Sequence, residues 1–186
     1  MMGRTTTEYG EKTDDELMAL TATRDHRAAV VLIARHQRPL LNLFYRYTAD
    51  RTLSEDLAQE VFLRVYKSAP LYEPRSVFRI WLYRIAKNIC FNEMKATRGR
   101  RELPEEIIGQ DDPGEALIAS ERAIRVRQAV ASLPERQKLA LILRRFHGLS
   151  QHETAETMET TPEAIESLMA RAKAKLKILL ADLAEG

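Results

Sequence analysis

Two stretches of this sequence carry side chains suited to nucleic acid. Residues 79–101 hold seven Lys or Arg against one acid, Glu93, with Phe78, Trp81, Tyr83 and Phe91 at or within their edge. Cations track a phosphate backbone, and aromatic faces stack on unpaired bases. Residues 71–77 lie beside this stretch and are placed to form a pocket. Trp81 and Ile85, at i and i+4, also fit a buried helix face, and Trp81 taken singly reads as core.

The second stretch lies near the C-terminus. Ser150-Gln151-His152-Glu153 has the form of a capping box, and Thr161-Pro162 is an N-cap followed by proline at the first helical position. A short capped helix, a turn at Glu159-Thr160-Thr161 and a longer capped helix make a helix-turn-helix pattern, whose second helix can enter the major groove by its N-terminal half. With Ile165, Leu168, Met169 and Ala172 inward, the opposite face presents Glu163, Glu166, Ser167, Ala170 and Arg171. Arg bonds guanine edges and Glu accepts from cytosine N4. Lys173, Lys175 and Lys177 suit phosphates, which position a protein without reading sequence. An ordinary helical hairpin with a solvated basic tail has the same spacing.

A third surface has a different character. Asp56, Gln59 and Glu60 fall at i, i+3 and i+4, with Leu63 at i+7. A polar, acidic helix face beside an apolar residue suits a protein partner better than DNA, although a solvated face has the same pattern.

Catalytic chemistry has no comparable support. His26, His36, His147 and His152 have no metal-ligand spacing with Cys90. The chain has no glycine-rich phosphate loop and no nucleophile elbow. No catalytic residue, metal or cofactor is expected. A single cysteine allows no internal disulfide and fits a reducing compartment. Cys90, between Ile89 and Phe91, reads as a small buried hydrophobe. The first twelve residues are polar, and no apolar run approaches the roughly 20 residues that span a bilayer. The expectation is a cytoplasmic protein without membrane insertion.

The elements that must position these residues are all helical. The 186 residues are 45% hydrophobic and 30% charged, with few prolines and glycines, placed as punctuation. Thr13-Asp14-Asp15-Glu16 is a capping box opening a first helix. A second helix is expected near residues 27–36. A third has Pro39 in its first turn and Leu40, Leu43, Phe44 and Tyr47 on one face. Ser54 caps a fourth, with Glu55 and Asp56 in its first turn. Residues 70–74 interrupt the pattern, and a fifth helix covers about residues 76–97. Residues 102–121 then hold seven acids and no Lys or Arg, together with Pro104, Gly109, Pro113 and Gly114. This is a linker composition, with helix resuming near Glu115. Pro134 starts a helix with Leu139, Ile142, Leu143 and Phe146 on one face, ending at Gly148. No segment alternates with period two.

The order of these features resembles a known family. Asp56-Leu57-Ala58-Gln59-Glu60-Val61-Phe62-Leu63 is similar to sigma region 2.2. Phe78-Arg79-Ile80-Trp81-Leu82-Tyr83-Arg84-Ile85-Ala86-Lys87-Asn88 resembles the region 2.3 and 2.4 segment of extracytoplasmic-function sigma factors of the sigma-70 family. Leu133-Pro134-Glu135-Arg136-Gln137 and the helix-turn-helix after it resemble region 4. The resemblance spans residues 13–176. It implies an all-α chain of two small domains: a sigma-2 helical bundle (13–98) and a sigma-4 helix-turn-helix (119–183), joined by a flexible acidic linker (99–118). It implies an alternative sigma factor that binds RNA polymerase core, at the β′ clamp helices and β flap, and directs it to promoter DNA under an anti-sigma factor. Asp56, Gln59, Glu60 and Leu63 would dock on core. Tyr72, Arg75, Arg79, Trp81, Arg84, Lys87, Asn88 and Lys95 would hold the opened −10 element. Thr161, Glu163, Glu166, Ser167, Arg171, Lys173 and Lys175 would contact the −35 duplex. Two departures bear on the second domain: the family often has glycine where Glu159 stands, and a basic or polar residue where Glu166 stands. A dimeric helix-turn-helix repressor or activator acting without core is the alternative reading. An enzyme and an inactive sigma-like adaptor are less well supported.

Overall fold

The computed structural model describes residues 9–74, 77–97 and 121–181, and all regular structure among them is helical. The first half contains α1 (Asp14–Ala22), α2 (His26–Thr48), α3 (Arg51–Ser68), a 3-10 turn (Ala69–Leu71) and α4 (Phe78–Thr97). The second contains α5 (Glu121–Ala131), α6 (Glu135–Arg145), α7 (Gln151–Thr157) and α8 (Pro162–Leu179). The acidic linker and the restart near Glu115 lie outside the described residues. No helix among the described residues is long and apolar enough to cross a membrane.

Three helix starts follow the expected cap chemistry. Thr13 and Glu16 satisfy each other's backbone N–H groups at α1, as Ser150 and Glu153 do at α7. Thr161 accepts from the Ala164 N–H at α8, with Pro162 at the first helical position.

Three expectations are corrected. First, the helices expected at 27–36 and from Pro39 onward are one continuous α2 with Pro39 inside it. A proline there forfeits a backbone bond and costs about 3 kcal/mol. The stripe Leu32, Leu40, Leu43, Phe44 and Tyr47 runs through it on one buried face. Each of those side chains recovers about 1.5–3 kcal/mol on burial, so straight continuation wins. Second, Ser54 does not cap α3. Asp50 does, accepting from the Leu53 N–H, and the helix starts at Arg51. Ser54 is buried within the helix, donating to the Asp50 carbonyl and meeting the Thr48 hydroxyl at 3.1 Å. Third, Phe146 does not join Leu139, Ile142 and Leu143 in the core. It is 48% exposed, and the Arg46 guanidinium lies 3.9 Å from its ring centre. α6 has ended at Arg145, and the chain turns through Gly148 at φ 65°.

The two halves lie against each other. α4 packs on α7, and α2 packs on α6 and α5. Leu17, Phe44, Val61, Leu82 and Ile89 of the first half belong to one buried cluster with Leu139, Leu143, Leu149, Met158 and Ile165 of the second. Leu133, Leu141 and Ala172 form a smaller cluster of their own.

Candidate nucleic-acid interface

α4 is amphipathic in a way that separates packing from chemistry. Phe78, Ile80, Leu82, Ala86, Ile89 and Cys90 are buried. Burial pushes the Cys90 thiol upward, keeping it protonated and inert. Trp81, half-buried, meets Tyr72 edge-on at 4.8 Å and Phe78 at 5.6 Å between ring centres. The Tyr72 hydroxyl donates to Asp15 at 2.5 Å, so the loop before α4 is tied to α1. Burial and the Asp15 carboxylate both raise the Tyr72 phenol above its usual range. Trp81 therefore belongs to an aromatic nest at the head of α4, serving both packing and a partly open edge. Arg75 lies outside the described residues. Asn88 and Lys95 are exposed.

The cationic face of α4 meets the second half directly. Arg79 pairs with Glu153 at 3.1 Å and Arg84 with Glu156 at 3.4 Å. Lys87 pairs with Glu159 and is only 4% exposed. The Tyr83 hydroxyl bonds His147 Nδ1 at 2.9 Å. Burial, with Arg46 and Arg79 nearby, lowers His147 to about 4, so the ring is neutral. Burial raises Tyr83 to about 12. The sequence pattern points to the cations of this interface, but not to Glu153, Glu156, Glu159 and His147. The sequence signal for the three carboxylates is their spacing of three, ending where the resembled family often has glycine; no such spacing marks His147.

α8 presents a different surface. Thr161, Glu163, Glu166, Ser167, Arg171 and Lys173 are all exposed. The Arg171 guanidinium donates within the helix, to the Ser167 hydroxyl at 2.7 Å. Lys175 departs from the expected phosphate-facing row: its ammonium donates to the Ser132 carbonyl at 2.8 Å.

On α3, Asp56, Gln59 and Leu63 share an exposed outward face, Leu63 at 53%. Glu60 is partly covered by the Arg64 guanidinium at 2.7 Å. Tyr66, 40% exposed and stacked against His26, lies on the same helix and is not among the expected residues. Among the described residues there is no cluster of three side chains suited to hold a metal.

With this geometry in place, comparison with known proteins is decisive. Sigma-70 region 2 matches residues 32–100, and Sigma-70 region 4 matches residues 123–176. The chain is 30% identical over 177 residues to the RNA polymerase sigma-H factor of Pseudomonas aeruginosa, covering 88% of this chain and 91% of that one. It is 31% identical over 175 residues to the ECF RNA polymerase sigma-E factor of Haemophilus influenzae, covering 87% and 92%. The chain belongs to the extracytoplasmic-function sigma factors of the sigma-70 family.

Two solved structures share the fold of this sigma factor. CnrH, in complex with the cytosolic domain of CnrY, matches with a TM-score of 0.71 at 26% identity, over 92% of this chain and 99% of CnrH. The sigma factor RpoE in complex with the anti-sigma factor NepR, from Bartonella quintana, matches with 0.64 at 22% identity, over 80% and 94%. Region 2 runs from within α2 through α4, and region 4 takes in most of α5, all of α6 and α7, and most of α8. The aromatic and cationic face of α4 is thus a region 2 surface, and the helix-turn-helix is a region 4 surface. Membership sets aside the reading as a dimeric repressor or activator that works without polymerase.

Proposed function

We propose that this sigma factor mounts on RNA polymerase core through the outer face of α3 and reads promoters with two unlike surfaces. Asp56, Gln59, Glu60 and Leu63 dock on core. Tyr72, Arg75, Trp81, Arg84, Lys87, Asn88 and Lys95 hold the opened −10 strand, with Arg79 at their edge. Thr161, Glu163, Glu166, Ser167, Arg171 and Lys173 meet the −35 duplex. The working units are residues 13–98 and 119–183, with 99–118 as the link between them. The chain acts in the cytoplasm, contributes no catalytic chemistry, and is held off by an anti-sigma factor.

The observation that carries this reading is the pairing of two chemistries. An exposed leucine set among acids on α3 suits a protein surface. The neighbouring α4 combines an aromatic nest with a line of cations, as single-strand binding requires. Extruding a base costs a few kcal/mol, offset by stacking and pocket hydrogen bonds. A surface that binds the open strand better than the duplex shifts the melting equilibrium without ATP. Direct readout by α8 in the major groove supplies the second, double-stranded contact.

Run-off transcription with core polymerase on a library of genomic fragments tests it. New start sites should appear only when the chain is present, and Leu63→Arg should abolish them while leaving the fold intact by circular dichroism. Start sites that are the same with and without the chain would overturn the proposal.

A further inference from the structure

We infer that the cleft between α2, α4 and the turn after α6 binds a small oligophosphate, free or carried on a nucleotide. The cleft lies apart from the residues proposed for core, the opened strand and the −35 duplex, and shares only Arg79 with them.

Four observations converge. The first is the lining. The cleft has a volume of about 460 Å³, within the range of small-ligand sites. α2 contributes Arg38, Asn42 and Arg46 at i, i+4 and i+8, all exposed on one face, and α4 contributes Arg79. Among the described residues that line it, none is acidic. Asp14 holds Arg35 at 2.9 Å and His36 at 2.8 Å, and Glu153 holds Arg79 at 3.1 Å, but neither acid lines the cleft. Guanidinium groups match phosphate oxygens in geometry and charge.

The second is the field. His147, on the wall, is lowered to about 4 by burial first and then by the charges of Arg46 and Arg79. A potential that repels a proton attracts an anion.

The third is an unmet donor. In the tautomer where the Tyr83 hydroxyl donates to His147 Nδ1, the ring proton sits on Nε2, which is buried with no hydrogen-bond partner. A buried donor left unsatisfied is costly, and an oxyanion in the cleft can accept from it.

The fourth is Phe146. Its helical spacing with Leu139 suits the core, yet it is 48% exposed and lines the cleft, with the Arg46 guanidinium 3.9 Å from its ring centre. An open cation–aromatic pair is a surface on which a base can stack. Because α2, α4 and the turn after α6 all supply walls, an occupant ties them together and stabilises the fold by mass action.

The test titrates the full chain, without polymerase and in magnesium-free buffer, with tripolyphosphate, ATP and adenosine by calorimetry. Both phosphorylated compounds should bind at one site, and adenosine should not. Arg38→Ala with Arg46→Ala should weaken both by about tenfold or more, as loss of charge-assisted hydrogen bonds predicts. Asn42→Asp, which sets a carboxylate among the arginines, should weaken them as well. Arg51→Ala with Lys67→Ala removes the same charge from exposed positions outside the cleft and should leave both affinities nearly unchanged. By magnetic resonance, either ligand should shift the His147 ring signal, assigned by its loss in His147→Gln. ATP bound more tightly than tripolyphosphate, with Phe146→Ala cancelling the difference, would assign the cleft to a nucleotide; equal affinities would assign it to the phosphates alone. No binding at millimolar concentration, or equal losses in the Arg38/Arg46 and Arg51/Lys67 variants, would overturn the proposal. So would cleft variants that keep ATP but lose affinity for a labelled single strand, because the arginines would then belong to the nucleic-acid surface.

Discussion

The two candidate DNA surfaces of this sigma factor are prepared in opposite ways. On α8 the side chains expected to read the −35 duplex stand in solvent, and Arg171 is braced only by Ser167 of its own helix. On α4 the cations are matched against acids of the other half, and Lys87 is nearly inaccessible. The surface proposed to read duplex stands open; the surface proposed to hold a strand is paired with acids of the other half. The difference suits what each is proposed to bind. A cationic, aromatic face left open would take any single strand, because stacking and charge recognise every sequence.

The largest expected effect tests whether the halves share a core. Leu143→Ala should lower stability by about 2–5 kcal/mol. If the cluster is continuous, circular dichroism and Trp81 fluorescence should shift together in one thermal transition, although Leu143 lies in the half without tryptophan. Two separated transitions, with the tryptophan signal unmoved, would make the halves independent.

Acid should come next, acting on the contact between them. His147 titrates near 6.5 when unfolded and near 4 in this structure, where Arg46, Arg79 and the Tyr83 hydroxyl face it. Its folded pKa is depressed, so the unfolded state binds more protons in between, and stability falls as pH drops from 6.5 towards 4. The loss reaches up to roughly 3 kcal/mol at the acid limit. The lowered carboxyls of Glu153 and Glu159 add to it in the same direction at still lower pH. Urea unfolding at pH 7.5 and pH 4.5 measures this, and His147→Gln should flatten the upper part of the dependence. An equal slope in that variant would place the titration elsewhere.

Arg171→Ala should weaken the open surface selectively. A loss of about 1–3 kcal/mol of base discrimination at one −35 position is expected, with strand binding by the isolated chain unchanged. Footprinting of holoenzyme on −35 variants reads the first, and fluorescence anisotropy the second. Loss of both would mean that the surfaces are coupled.

The smallest effect distinguishes two caps. Ser150→Ala and Thr161→Ala each remove one side-chain acceptor from a helix start and should each cost about 1 kcal/mol. Only Ser150 supports α7, whose Glu153 faces Arg79. Ser150→Ala should therefore also loosen the contact between the halves, seen as faster amide exchange at Tyr83, and Thr161→Ala should not.

Much of this molecule is readable from residue types alone. Capping boxes at Thr13 and Ser150 and the Thr161-Pro162 start depend on atoms within one turn, and all three stand where local chemistry puts them. The two signature segments and the helix-turn-helix likewise follow from order and spacing. Two of the departures share one cause. Local rules assign Pro39 and Ser54 their commonest roles, and burial overrides both: a continuous apolar stripe carries α2 through the proline, and Asp50 captures the cap while Ser54 turns inward. Phe146 has helical spacing with Leu139, yet the helix ends one residue before it.

Residue order and type are enough to specify the helices, the family and the cations suited to nucleic acid, because these depend on short-range periodicity and on charge. What those cations face is a property of the packed chain. Arg79, Arg84 and Lys87 lie some 70 positions from Glu153, Glu156 and Glu159 along the chain, and no local rule pairs charges across that separation. Packing α4 against α7 brings them together, buries Lys87, and turns a helix with the composition of a strand-binding surface into one that is already filled.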